Sequence, residues 1–129
     1  MTNTRILLVE DELPLLQLLE RYLTRVGFAV TAYSGSVEAL RDFEAAPGKY
    51  DLVIADLGMP EISGDAMLKR MLEIKPDLLI LICSGSQYYV SNLPKALEKQ
   101  VAFLQKPFLP KMMMEAIESL QARRDAGRE

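Results

Sequence analysis

Short apolar runs and helical stripes alternate along the chain. Ile6-Leu7-Leu8-Val9 ends abruptly in Glu10-Asp11-Glu12. Leu16, Leu19, Leu23 and Val26 follow at helical spacing, with Pro14 suited to a first turn and Gly27 to a stop. Phe28 to Tyr33 is rich in β-branched and aromatic residues and predicts a second strand. Val37, Leu40 and Phe43 form the next helical stripe, closed near Pro47-Gly48. Leu52-Val53-Ile54-Ala55 predicts a third strand, ended by Asp56. Ser63 is placed to cap a helix carrying Leu68, Met71 and Leu72, stopped by Pro76. Leu78 to Cys83 and Val101 to Leu104 predict two further strands, and Met113, Ala116, Ile117 and Leu120 a last helix. The charged tail from Gln121 is expected to fray, leaving residues 122–129 loose. Between Ser84 and Gln100, Pro94 either starts a short helix after a turn or kinks a longer one.

Five β-then-α units result. Short strands that are apolar throughout must be covered on both faces, which a parallel sheet between two helix layers achieves. Right-handed crossovers then give an α/β, three-layer, doubly wound (βα)5 domain. At 129 residues and 50% hydrophobic, the chain has the length and the apolar content for a single domain spanning residues 1–129.

Composition narrows the function. A net charge of −3 and a pI near 5.1 argue against a protein whose main work is neutralising nucleic-acid phosphates. The chain has no histidine, which removes a His general base, a His metal ligand and a phosphohistidine carrier. Cys83 is the only cysteine, so an internal disulfide and a multi-Cys zinc site are excluded. Its simplest role is as a small core residue. No apolar run approaches the roughly 18 residues of a membrane span, and no export signal is visible, so a cytoplasmic location is expected.

Ligands of open parallel sheets bind beyond the carboxyl ends of the strands. There the chain places Glu10-Asp11, Asp56, Ser84 followed by Gly85, and Lys106 followed by Pro107. Taken singly, an acid after a strand is an ordinary helix cap and Lys-Pro an ordinary turn. Together they direct three carboxylates, a hydroxyl and an amine at one rim. Carboxylates about 5 Å apart repel by about 3 kcal/mol per pair at an effective dielectric of 20. Such a cluster calls for a cation, and hard oxygens without His or Cys suit Mg2+, with Mn2+ also accommodated. A carboxylate beside a divalent ion and an ammonium is placed to attack a phosphoryl group.

These residues resemble the receiver (response-regulator) domain of two-component signalling, with a fold like that of the chemotaxis regulator. The matching motifs are Leu8-Val9-Glu10-Asp11-Glu12, Asp56-Leu57-Gly58-Met59-Pro60 with Gly64, Cys83-Ser84-Gly85 and Lys106-Pro107-Phe108. The resemblance implies a flavodoxin-like strand order 2-1-3-4-5 and a cis Lys106-Pro107 bond. It also implies roles. Asp56 would be the phospho-acceptor. Glu10 and Asp11 would hold the metal with Asp56 and the backbone carbonyl of Gly58, Asp11 directly and Glu10 largely through water. Ser84 and Lys106 would bind the phosphoryl oxygens. Ser84 and Phe103 would form the switch, although a plain core Phe explains Phe103 equally well. Ser84 stands where Thr is commoner, Phe103 where Tyr is frequent, and Gly58 offers no side chain to shield the acyl phosphate from water.

The implied partners are a sensor histidine kinase or histidine phosphotransfer protein and a downstream protein target. Direct nucleic-acid binding and membrane contact are not expected, and the chain is expected as a monomer or a phosphorylation-dependent dimer. The reading is a signalling switch, not an enzyme, that catalyses only its own Asp phosphorylation and dephosphorylation. A free-standing regulator and a receiver belonging to a longer regulator or hybrid kinase are both compatible with the sequence. Two other readings remain beside it. One is an interaction module of this fold that works without phosphate. The other is an aspartyl-nucleophile phosphatase, which Gly58 disfavours because that class carries a second Asp there.

Overall fold

Residues 4–85 and 97–126 are described in the computed structural model. In chain order the elements are β1 (Arg5–Val9), α1 (Leu13–Val26), β2 (Ala29–Tyr33), α2 (Ser36–Ala45), a 3-10 turn (Pro47–Lys49), β3 (Leu52–Asp56), α3 (Gly64–Ile74), β4 (Leu79–Ser84), β5 (Val101–Gln105) and α4 (Pro110–Ala126). The strands form one parallel sheet in the order β2-β1-β3-β4-β5. The helix expected between Ser84 and Gln100 lies outside the described residues.

Alternation along the strands divides the interior into two cores. Leu7, Val9, Val53, Ala55, Ile80 and Ile82 face α2 and α3, meeting Ala39, Phe43, Met67 and Met71. Ile6, Leu8, Leu52, Ile54, Leu79 and Leu81 face α1 and α4, meeting Leu16, Leu19, Leu23, Met113, Ile117 and Leu120. Each buried Leu or Ile contributes about 1.5–3 kcal/mol relative to exposure. The central strands are therefore held firmly on both sides.

Local signals act as their chemistry requires. Gly27 closes α1 with φ 119°, where a Cβ is disfavoured, and its N–H donates to the carbonyls of Leu23 and Thr24. Ser63 Oγ accepts the Ala66 N–H at 3.2 Å and starts α3.

Three expectations need correction. Val26 is 42% exposed, because the α1 stripe ends at Leu23. The inward stripe of α2 is Ser36, Ala39 and Phe43, with Val37 and Leu40 only half-buried on its flank. Ser36 and Ala39, the two small residues of that stripe, are fully buried, as is Phe43. The tail expected to fray from residue 122 is helical through Ala126. Gln121 donates to Thr4 Oγ1 at 2.7 Å, and the Arg123 guanidinium donates to the Glu98 carbonyl at 2.7 Å.

Candidate functional site

Sheet register assembles the rim. Val9 pairs with Tyr33 and with Ala55, so Glu10 emerges one residue past β1 beside the end of β3, which is Asp56 itself. Asp56 pairs with Cys83, and Ser84 with Gln105. The Lys106 N–H donates to the Ser84 carbonyl at 2.8 Å, carrying the β4–β5 ladder one residue further and fixing where the lysine leaves the sheet. The Lys106-Pro107 peptide is cis.

The side chains converge. Carboxylate oxygens of Glu10, Asp11 and Asp56 lie within 4.8 Å of one another. Lys106 Nζ is 2.8 Å from Glu10 Oε1, 3.0 Å from Glu12 Oε1 and 3.2 Å from Asp56 Oδ2. Glu10 Oε2 accepts the Glu12 N–H at 3.1 Å, and Asp56 Oδ1 accepts the Gly58 N–H at 3.1 Å.

Burial pushes the Glu10 carboxyl above the usual range, against the opposing pull of its bonds to Lys106 and to the Glu12 N–H. Burial works to lower the Lys106 ammonium, but its bonds to Glu10 and Glu12 and the nearby charges of Glu10 and Asp56 outweigh burial and raise it. Lys106 is thus a fixed cation. One ammonium among four carboxylates leaves the rim with an excess of negative charge.

That excess tests whether a metal fits. The donors are oxygens only. The nearby Cys83 points into the α1–α4 core, and burial raises its thiol strongly. A hard dication of the Mg2+ or Mn2+ kind matches the donor set, and Glu10, Asp11 and Asp56 are the side chains in position to hold it.

The other predicted residues are arranged around this centre. Ser84 is buried at the end of β4, and a Cβ at the following Gly85 would meet nothing within 4 Å. Phe103 pairs with Ile82 on the neighbouring strand and is half-buried against the α2–α3 core. By strand parity Ile80, Ile82 and Ser84 share a face, so Ser84 and Phe103 are diagonal neighbours on that face. Gly58 borders Asp56 through its N–H.

Sequence reasoning missed three contributors. Glu12, the third acid of its run, is an ion-pair partner of Lys106. It also lines a cleft of about 350 Å³ with Leu15, Lys106, Pro107 and Phe108. Gly64 packs so closely on the end of β3 that a Cβ would lie 2.3 Å from the Asp56 carbonyl oxygen and 2.7 Å from Leu57 Cα. Ser36 is buried and bonded to the loop after Asp56. The first was visible as an acid in the motif and the second as a motif glycine. Nothing local marked the third.

Comparison with known proteins agrees with this geometry. The chain is 31% identical over 125 residues to the sensor kinase CckA of Brucella abortus, covering 95% of this chain but only 13% of that protein. It is 32% identical to the chemotaxis protein CheY of Thermotoga maritima, covering 88% of this chain and 93% of that one. The crystal structure of the response regulator TrrA of Thermotoga maritima, in complex with Mg2+ and BeF, superposes with a TM-score of 0.77 at 31% identity. That superposition covers 91% of this chain and 98% of TrrA. The sequence profile of the response regulator receiver domain matches residues 6–118, and the chain belongs to that family.

Proposed function

We propose that this receiver domain accepts a phosphoryl group on Asp56 from a histidine-containing donor and switches a protein-interaction surface. The observation that carries the proposal is Asp56, part of a tight acidic trio and 3.2 Å from the fixed ammonium of Lys106. An Asp56 oxygen forms a bond to phosphorus as the bond from phosphorus to the donor's imidazole nitrogen breaks. The imidazole leaves with that electron pair. Lys106 stays charged and compensates the oxygens that gain negative charge. The Gly58 N–H keeps the other Asp56 oxygen oriented. Ser84, at the end of the adjacent strand, supplies a hydroxyl donor to the new phosphoryl group, and open space at Gly85 admits it. A bound Mg2+, held by Glu10, Asp11, Asp56 and the Gly58 carbonyl, would offset phosphoryl charge during transfer. Water later cleaves the acyl phosphate and restores the carboxylate.

The cleft beside Lys106 gives a donor a route to the rim between the start of α1 and the segment after β5. The implied donors are a sensor histidine kinase or a histidine phosphotransfer protein. CckA, itself a sensor kinase, is consistent with a place in phosphoryl relay. Among the described residues, no helix is long and apolar enough to cross a membrane.

Incubation with acetyl phosphate or phosphoramidate and Mg2+ should add one acid-stable, base-labile phosphoryl group, seen by intact-mass spectrometry. Asp56→Asn keeps the shape and removes the nucleophilic anion, so it should remain unmodified. Equal modification of both proteins overturns the assignment, and modification of neither favours a phosphate-independent interaction module.

A further inference from the structure

The loop from Leu57 to Ser63 joins the acceptor strand to α3 and carries Gly58. It is pinned from a distance. Ser36, in the first turn of α2, is fully buried. Its Oγ donates to the Pro60 carbonyl and accepts the Ile62 N–H, both at 3.2 Å. The two bonds bracket Glu61, which has φ 66° and is, among the described residues, the one non-glycine residue with positive φ. A left-handed Glu costs about 1 kcal/mol or more and persists only where its surroundings enforce it. The loop's ends are closed by Gly64 N–H donating to the Leu57 carbonyl at 3.2 Å. Its near end meets the acceptor through the Gly58 N–H on Asp56.

We propose that Ser36 is a positioning residue for the Asp56 site: it holds the loop in the conformation that keeps Gly58 against the acceptor carboxylate. The Ser36 hydroxyl is bonded to Pro60 and Ile62 and not to the acids of the rim, so it acts through Pro60–Ile62. The inference rests on the metal-site reading above and extends it to a residue on a separate helix. Removing the hydroxyl orphans a carbonyl and an N–H, and lets Glu61 relax out of the left-handed region. Gly58 would then lose its fixed place, and divalent-ion affinity would fall although every acidic ligand is intact.

The test is Mg2+ titration of the full chain, followed by the Gly58 and Ile62 amide resonances. Ser36→Ala should weaken Mg2+ by roughly three- to ten-fold. Tyr50→Phe, which loses a hydrogen bond to Asp42 further along α2, should leave the affinity within two-fold of the parent. Adding Glu61→Gly to Ser36→Ala should recover most of the loss, because glycine adopts positive φ without strain. An unchanged affinity in Ser36→Ala, an equal loss in Tyr50→Phe, or no recovery in the double variant overturns the inference. A parent that binds no Mg2+ overturns the metal-site reading and this one with it. Should Ser36→Ala not fold, reciprocity supplies the test in the unmodified protein. Mg2+ should slow exchange of the Ile62 N–H three-fold or more beyond its effect on the Ala29 N–H, which bonds the Thr4 carbonyl far from the rim. Equal slowing of the two amides refutes the coupling.

Discussion

Asp11→Asn is the perturbation that best isolates the electrostatics of the rim. The three carboxylates lie within 4.8 Å of one another. At that separation each pair repels by about 3.5 kcal/mol at an effective dielectric of 20, and by about 0.9 kcal/mol in bulk water. Asp11 is half-exposed, so its two repulsions belong toward the lower figure. None of the Lys106 ion pairs involves Asp11, so the amide removes repulsion without breaking one of them. The metal-free variant should therefore be more stable than the parent by about 1–2 kcal/mol, a rise in Tm of about 3–8 °C for a domain of this size. Mg2+ should have the opposite dependence. At ten times its dissociation constant it stabilises the parent by about 1.4 kcal/mol, and the variant, having lost a ligand, by much less. Differential scanning calorimetry in EDTA and then in Mg2+, repeated at low and high salt, measures both terms. The stability gap between the metal-free proteins should narrow with salt. A less stable metal-free variant, or one with an undiminished Mg2+ increment, would refute the reasoning.

Gly64→Ala should destabilise by about 2–4 kcal/mol in urea unfolding, since a Cβ 2.3 Å from the Asp56 carbonyl oxygen must push the end of β3 aside. Asp42 is held below the ordinary carboxylate range, first by its hydrogen bond from the Tyr33 hydroxyl and then by Tyr50 and Lys49. A depressed folded pKa stabilises above the unfolded value near 4 and loses that stability as pH falls through the folded value, so Asp42→Asn should flatten the acid limb of the urea midpoint below about pH 5. The same bond pushes the Tyr33 phenol up to about 12. Its stabilisation is complete below about pH 10 and fades toward 12, and ultraviolet titration should find a late-ionising tyrosine that Tyr33→Phe removes. Ser84→Ala should still accept phosphate at Asp56 while beryllofluoride-induced amide shifts from Val101 to Leu120 shrink by about ten-fold; equal shifts in both proteins would separate Ser84 from Phe103.

Strands and rim were legible because a parallel sheet buried on both faces leaves an unambiguous pattern. Ile6–Val9, Leu52–Ala55 and Leu79–Cys83 read as apolar without interruption, and the first polar residue after each marks the functional edge. Thus Glu10, Asp56 and Ser84 could be placed together before any coordinates, with Asp11 beside Glu10 and Lys106 near the end of the last strand. Helix faces were less legible. In α2 the inward residues Ser36 and Ala39 are small, and hydropathy favoured the bulkier Val37 and Leu40 beside them. In α4 the charged end reads as solvated tail, yet Arg123 finds the Glu98 carbonyl from a segment 25 residues earlier. Ser36 and Glu12 were missed for the same reason. What each does depends on a partner 24 or more residues away, and no spacing rule encodes such a pair.

The balance of charge at the rim also limits what each group can do. Lys106 is partly buried, and burial alone would favour its neutral amine. The carboxylates around it reverse that tendency and keep the ammonium protonated. A lysine so held cannot act as a proton shuttle near neutral pH, which leaves it an electrostatic role. The same acids repel one another more than one ammonium can offset, and the two apolar cores beneath the rim help to hold it in place. That residual negative potential favours a divalent ion in the resting state. On the proposed reading of Asp56 as a phosphoryl acceptor, an arriving phosphoryl group would bring still more negative charge and compete with Glu10 and Glu12 for Lys106. Of those two, Glu12 is the one free to yield. It is 63% exposed and its carboxylate can turn to water, whereas Glu10 is 3% exposed and anchored by the Glu12 N–H. The site therefore contains one rigid acid and one yielding acid on the same lysine, and a change of charge at Asp56 can be accommodated without disturbing the strands that carry it.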